Sequence, residues 1–327
     1  MCYAKKEIDM KKTYNILVLL LMVIPAAVFG QQEPMFGQYI FNASVINPAQ
    51  AGGNNSNQAG ALARMQWVGF DDAPRTETLF ANFRLPHNLG MAVGIYQDRL
   101  GPETNLQIQA DLAYHATLSD NWSLAGGIRL IGGHMRVSLS DVPNVDPGNP
   151  FFQEDLSSDL LLNTGAGLLA YNNRTFFGLS IPKIFSNEID VTNTGTDDFQ
   201  ANDSRHFFAY AGTNLNLSDE IMFMPSTMFR LIEDAPVQLD LNTVFGYRDV
   251  LDFGPMVRTN FSDDNDWFDA VGFLVGITFL EQWYFGYMYE YPVGDINSIT
   301  QQTHEITLRF SWDTIRERLI RSPRYFL

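Results

Sequence analysis

The chain has almost no cysteine and little histidine. Its one cysteine is Cys2, upstream of an apolar run at residues 16–29. Beyond that run the chain therefore has no disulfide, no thiolate metal ligand and no cysteine nucleophile. The five histidines lie on separate segments, without the paired spacing of a zinc site. We expect no metal site and no cofactor.

Basic residues are also few. The chain has 21 Lys and Arg against 37 Asp and Glu. Without the first 30 residues, which hold four Lys, Glu7 and Asp9, the balance is 17 against 35, a net charge of −18. Nucleic acid and anionic headgroups are bound by clustered Lys and Arg, so we expect no nucleic-acid partner.

The chain has only one long apolar run, and it is too short to span a bilayer. Residues 16–29 follow Lys11 and Lys12 and precede Gly30. The run of about 14 residues falls short of the roughly 20 that a transmembrane helix needs. We predict a secretory signal peptide over residues 1–30, with translation beginning at Met1 or Met10. An uncleaved membrane anchor is the alternative that the length disfavours.

No catalytic pattern is present. The sequence has neither a G-x-S-x-G nucleophile elbow nor an H-E-x-x-H pair. The glycine pairs of "AGGIRLIGG" do not open a helix, so they do not form a phosphate-binding loop. We expect no catalytic residue and no enzymatic activity.

What the chain does have is alternation with a period of two residues. In "LQIQADLAYHATL" the apolar side chains fall on one face and Gln, Asp and His on the other. Segments of about ten residues with this pattern are typical of strands that cross an outer membrane. We predict an all-β fold, a transmembrane antiparallel β-barrel of about 14 strands. The predicted strands are 58–68, 77–86, 88–99, 103–118, 121–134, 159–171, 174–181, 205–217, 220–231, 235–247, 250–261, 267–279, 281–291 and 302–312.

The lengths of the connections support the barrel. Alternate connections are tight turns, and the long ones, near 135–158, 182–204 and 292–301, all fall on the opposite parity. Bacterial outer-membrane barrels have short periplasmic turns and longer extracellular loops. We therefore expect the outer membrane of a Gram-negative cell as the location and its lipid as the surroundings.

Two stretches stand apart from the strand pattern, residues 34–52 and 63–76. They contain a Gln-Tyr, Phe-Asn, Asn-Pro-Ala, Gly series and then Arg-x-Gln-Trp-x-Gly-Phe, a Pro and a Thr. In this pattern the chain resembles the PorP/SprF family of type IX secretion system membrane proteins. It departs from the family at Gly37, where Ser is more usual, and at Ala43–Ser44, which replace a Pro-apolar pair. The matching residues, taken as interaction candidates, are Phe36, Gln38, Tyr39, Phe41, Asn42, Asn47, Pro48, Ala49, Gly52, Arg64, Gln66, Trp67, Gly69, Phe70, Pro74 and Thr76.

The resemblance implies a non-enzymatic component of the type IX secretion and gliding machinery. Its partners would be the periplasmic ring, other secretion components and secreted cargo that carries a C-terminal secretion domain, such as adhesins. The alternative is an outer-membrane channel or solute transporter, in which lumen-facing Gln107, Asp111 and Arg309 would tune selectivity.

The expected organisation has four parts: a signal peptide at 1–30, a periplasmic or lumenal segment at 31–57, the barrel at 58–312, and a basic periplasmic tail at 313–327. Residues 34–52 combine aromatic side chains with amides, which suits neither lipid nor a loose tail in water. We expect this stretch at the periplasmic mouth or in the lumen, either as a plug or as an ordered lead-in to the first strand. The Arg-rich tail either docks an acidic periplasmic partner or is a solvated terminus.

Overall fold

The computed structural model describes residues 36–53, 56–142, 155–186, 188–191, 199–202, 205–233, 235–261, 268–293 and 302–312. The predicted signal peptide at 1–30 and the predicted basic tail at 313–327 lie outside the described residues. Among the described residues, no helix has the length and apolar character needed to cross a membrane.

Eighteen strands are described. Four are short additions: β6 (Leu156–Ser157), the hairpin of β9 (Glu188–Val191) and β10 (Phe199–Asn202), and β12 (Leu215–Asn216). The other fourteen form the wall: β1 (Asn57–Met65), β2 (Arg75–Leu85), β3 (Leu89–Leu100), β4 (Glu103–Thr117), β5 (Ser123–Val137), β7 (Leu161–Tyr171), β8 (Thr175–Ile181), β11 (His206–Thr213), β13 (Ile221–Ile232), β14 (Gln238–Tyr247), β15 (Leu251–Asn260), β16 (Phe268–Phe279), β17 (Trp283–Pro292) and β18 (Thr303–Trp312).

The fourteen strands form a closed antiparallel barrel. Each pairs with its neighbours along the chain, β1 pairs with β18, and β11 pairs with both β8 and β13, so the described wall has no free edge. Closure matters because an unpaired strand edge in lipid would leave backbone groups without hydrogen bonds. The predicted fold and its strand number are confirmed, and the strand bounds differ from the predicted ones by a few residues.

The wall is apolar outside and polar inside. In β4, Ile108 and Leu112 are exposed, whereas Gln107 and Asp111 are buried. Side chains alternate between the two faces of a strand, and the face bearing the polar residues is the one enclosed by the barrel. An apolar outer face of this kind is suited to lipid.

The two ends of the barrel differ. Tight turns at 86–88, 118–122, 172–174, 248–250 and 280–282 lie at one end, the short-turn end. At the other, the long-loop end, β1, β5, β8 and β17 end, and β2, β7, β11 and β18 begin.

Candidate functional site

Residues 36–53, the lumenal segment, lie inside the barrel. Three short 3-10 helices form half of the segment: Tyr39–Phe41, Ala43–Val45 and Pro48–Gln50. The Asn47 side chain caps the last of them by accepting a hydrogen bond from the Ala49 amide at 2.8 Å, and Pro48 occupies the first helical position. Both residue types are favoured at these positions, which explains the local role of the Asn-Pro pair.

The lumenal segment runs along the barrel axis. Near the long-loop end, the amides of Gly37 and Gln38 donate to the Glu305 carboxylate at 2.9 and 2.8 Å. Near the short-turn end, His115 Nε2 donates to the Ala51 carbonyl at 2.8 Å, and the Gly52 amide donates to Asn82 Oδ1 at 2.6 Å. The segment therefore enters the described lumen close to one mouth and leaves it close to the other.

Apolar packing holds the middle of the segment. The rings of Phe41 and Tyr284 stack with their centroids 4.8 Å apart. Tyr39 is buried, and its hydroxyl accepts from Asn242 Nδ2 at 3.0 Å. The wall residues of the same cluster are Ala125, Leu169, Phe176, Phe208, Tyr210, Met224, Met228, Val244, Met256, Leu274, Tyr284 and Met288.

Asn47 joins the segment to three strands of the wall. Its Nδ2 lies 3.1 Å from the Leu168 carbonyl oxygen, 3.3 Å from that of Leu179 and 3.0 Å from the Tyr210 hydroxyl. Gln50 Nε2 donates to the same hydroxyl at 3.0 Å. Because Asn47 is fully buried, these contacts replace the water that its amide would otherwise bind.

Glycine allows the segment to approach the wall closely. A Cβ on Gly127 would lie 2.4 Å from the backbone nitrogen of Ala49 and 2.4 Å from the carbonyl carbon of Pro48. Gly52 has φ +68°, a conformation that favours glycine, and it lies against the Gly90 backbone. No larger residue fits at Gly127 without moving the segment or the strand.

A belt of buried charges lines one side of the lumen near the long-loop end. Arg64 Nη1 donates to Glu290 and to Glu305, both at 2.8 Å. Arg258 donates to two carboxylates, from Nη1 to Glu290 Oε2 at 3.2 Å and from Nε to Asp240 Oδ1 at 2.8 Å. The charged belt consists of Arg64, Arg230, Asp240, Arg258, Glu290 and Glu305, three residues of each sign. This balance offsets the cost of burying each charge.

A second ion pair grips the segment from the opposite wall. Arg129 binds Asp111 through two hydrogen bonds of 2.7 Å, from Nε to Oδ1 and from Nη2 to Oδ2. The same guanidinium donates to the carbonyl oxygens of Ser44 and Val45, the latter at 2.7 Å. Arg309 Nη1 likewise donates a hydrogen bond to the Phe41 carbonyl oxygen at 2.8 Å.

A cavity of about 30 Å³ lies in the lumen between the segment and the wall, lined in part by Phe36, Gln107 and Arg129. A water molecule needs about 10–15 Å³ by this measure, so the cavity holds about two or three waters and no solute.

The second motif forms an ordered loop at the long-loop end. Three hydrogen bonds tie it down: the Gln66 amide to the Pro74 carbonyl at 3.0 Å, the Val68 amide to the Gln302 carbonyl at 2.9 Å, and the Gly101 amide to the Asp72 carbonyl at 3.0 Å. Residues 66–74 are called the rim loop below. Phe70 is 52% exposed on it, followed by exposed Asp71 and Asp72.

The candidate residues named from the sequence therefore fall into two groups. Arg64 is in the charged belt, and Thr76 donates to Asp98 inside the wall at 2.6 Å. Asn42 accepts from Ser44 within the segment. One group lies in the lumen: Phe36, Gln38, Tyr39, Phe41, Asn42, Asn47, Pro48, Ala49, Gly52, Arg64 and Thr76. The other belongs to the rim loop: Gln66, Trp67, Gly69, Phe70 and Pro74.

Sequence reasoning missed most partners of the lumenal segment. Glu290 and Glu305 meet Arg64 only because β17, β18 and β1 are neighbours in the closed barrel. The sequence feature that could have indicated these contacts is a single charged residue in an otherwise apolar strand, such as Arg129 in "GIRLIG". Among the residues that the structure describes, no three His, Cys, Asp or Glu side chains are placed to hold a metal ion.

The family "Type IX secretion system membrane protein PorP/SprF" matches residues 28–310. No curated protein matches.

Several solved barrels are similar in fold. A Pseudomonas aeruginosa FadL homologue covers 88% of this chain and 96% of its own, at 10% identity and a TM-score of 0.49. The P. putida toluene transporter TodX covers 84% and 95%, at 8% identity and a TM-score of 0.48. The CymD monoaromatic hydrocarbon channel covers 85% and 94%, at 11% identity and a TM-score of 0.47.

The family match spans most of the chain, and the barrel is the architecture that an outer-membrane protein requires. The chain thus belongs to the PorP/SprF family of type IX secretion system membrane proteins, is located in the outer membrane, and has other components of that system as partners.

Proposed function

We propose that this protein is a non-enzymatic outer-membrane component that supports the export or surface attachment of cargo proteins, such as adhesins. The observation that carries the proposal is the filled lumen: residues 36–53 are packed and hydrogen-bonded to the wall along the barrel. A barrel filled in this way offers its rims and outer wall to partners. The filled lumen, together with the family, supports a role in secretion.

The rim loop is the proposed contact for cargo that carries a C-terminal secretion domain. Hydrogen bonds hold the backbone of the rim loop on both sides, and the Phe70 side chain is exposed to water. Because the loop is already ordered, a partner that binds Phe70 causes only a small further loss of backbone entropy. Exposed aromatic residues on ordered loops are common in binding surfaces. With short turns placed in the periplasm, as in bacterial barrels, the rim loop faces the cell exterior.

The remaining parts of the chain complete this proposal. Residues 1–30 act as the signal peptide, 31–57 as the lumenal part, and 58–312 as the barrel. The basic tail at 313–327 reaches an acidic partner at the periplasmic ring. Gliding of the cells depends on the protein where its cargo is a surface adhesin.

The test compares the surface and secreted proteins of the parent strain with those of a strain lacking this chain. Loss of one or a few large surface proteins, restored by the wild-type gene, supports the proposal and identifies the cargo. An unchanged set of secreted proteins, with impaired uptake of a solute, would overturn it.

The channel remains the alternative, and conductance distinguishes it. Asp111 and Arg309, which would tune selectivity in a channel, are bound to Arg129 and to the Phe41 carbonyl. We therefore expect the purified barrel in a planar bilayer to show no steady conductance. A steady current in the wild-type protein would support a channel.

A further inference from the structure

The direction of the lumenal segment places its beginning at the long-loop end. Glu305, which binds the amides of Gly37 and Gln38, is two positions from the start of β18 at that end. The residues that follow descend towards the opposite end. Phe41 meets Arg309, four positions further along β18, and Gly52 meets Asn82 near the short-turn end.

The path from Phe36 to the short-turn end is occupied. The apolar cluster around Phe41 fills the lumen below the charged belt with side chains from nine wall strands, including Met224, Val244 and Tyr284. Any chain upstream of Phe36 would have to displace this core to leave through the short-turn end. The nearer exit is the mouth at the long-loop end.

We infer that the amino terminus of the exported chain opens at the long-loop end, on the cell surface. Cleavage after Gly30 leaves residues 31–35 upstream of Phe36. Five extended residues span at most about 17 Å, at roughly 3.3–3.6 Å each. The two strand positions from Glu305 to the start of β18 at Thr303 correspond to only about 7 Å. These residues are therefore long enough to reach the mouth.

This path of the chain constrains the order in which the barrel assembles. Signal peptides are removed on the periplasmic side, yet the new terminus lies at the opposite mouth. The strands must therefore close around residues 36–53, which become part of the folding core and do not enter a finished barrel. The inference concerns only the path of the chain, so it stands or falls separately from the proposed role in secretion.

Cysteine labelling on intact cells tests this path. Because the chain beyond the leader has no cysteine, a single Gln32→Cys substitution gives one reactive thiol. Glu33→Cys is a second variant, in case a cysteine so close to the cleavage point impairs processing. The probe is a maleimide that does not cross the outer membrane, and folding is checked by heat-modifiable migration on gels.

Two exposed positions calibrate the experiment. Asp71→Cys lies on the rim loop and Asn121→Cys lies in a tight turn at the short-turn end. We expect Gln32→Cys or Glu33→Cys to be labelled on intact cells together with Asp71→Cys, while Asn121→Cys is labelled only after permeabilisation. Labelling together with Asn121→Cys, or labelling only after denaturation, would overturn the inference.

Discussion

Arg129 is held against Asp111 by two hydrogen bonds of 2.7 Å, in the side-on geometry that guanidinium and carboxylate groups prefer. Both side chains are buried in the lumen. The pair also binds the lumenal segment, because the same guanidinium donates to the carbonyls of Ser44 and Val45. One arginine thus joins β5 and β4 to a stretch of chain about 85 residues upstream of it.

Replacing Arg129 with alanine should destabilise the barrel by about 3–5 kcal/mol, because the substitution leaves the Asp111 carboxylate buried without its cation. It also removes the donors to the segment. The measurement is the free energy of unfolding in urea, followed by tryptophan fluorescence in lipid vesicles.

Arg205→Ala is the matched control for Arg129→Ala. Arg205 pairs with Glu233 at 3.1 Å, but both side chains are nearly half exposed. Exposed pairs contribute about 0.2–1 kcal/mol. Equal effects of the two substitutions would contradict the assigned role of Arg129.

The outer face of the barrel was predictable from the sequence, whereas most of the lumen was not. In "LQIQADLAYHATL" the lipid selects an apolar residue at every second position, so the period of two is visible without any partner. The lumen follows no such rule. Arg64 and Glu290 are 226 positions apart, and no local spacing predicts that they meet.

Substitution of Gly127 by alanine should displace the lumenal segment or the strand, because the new Cβ would lie 2.4 Å from the backbone of Ala49. Overpacking of this kind costs about 1–3 kcal/mol. Gly126→Ala is the control, since its Cβ would meet only a Leu168 methyl at 3.9 Å on the outer face. Limited proteolysis should detect a released segment in Gly127→Ala alone, and equal resistance of the two variants would count against close packing at Gly127.

Asn47→Ala should lower stability by about 1–3 kcal/mol, since it removes the buried amide that contacts the Leu168 and Leu179 carbonyls and the cap of Pro48–Gln50. The Tyr210 hydroxyl loses one of its two donors and keeps Gln50. Asn121→Ala, in an exposed turn, serves as the comparison and should leave stability nearly unchanged. For both variants, the melting temperature is the temperature at which the folded band on a heat-modifiability gel is lost. A similar melting temperature for the two variants would show that the Asn47 contacts contribute little.

Phe70→Ala should separate folding from function. Phe70 is 52% exposed, so its loss removes less buried apolar area than the loss of a core ring and should change the melting temperature little. Phe41→Ala removes a buried ring stacked on Tyr284 and should cost about 3–5 kcal/mol. If the rim loop binds cargo, a strain carrying Phe70→Ala keeps a normal amount of folded barrel but loses surface protein, as the deletion strain does. Normal secretion with Phe70→Ala would place the cargo contact elsewhere on the molecule.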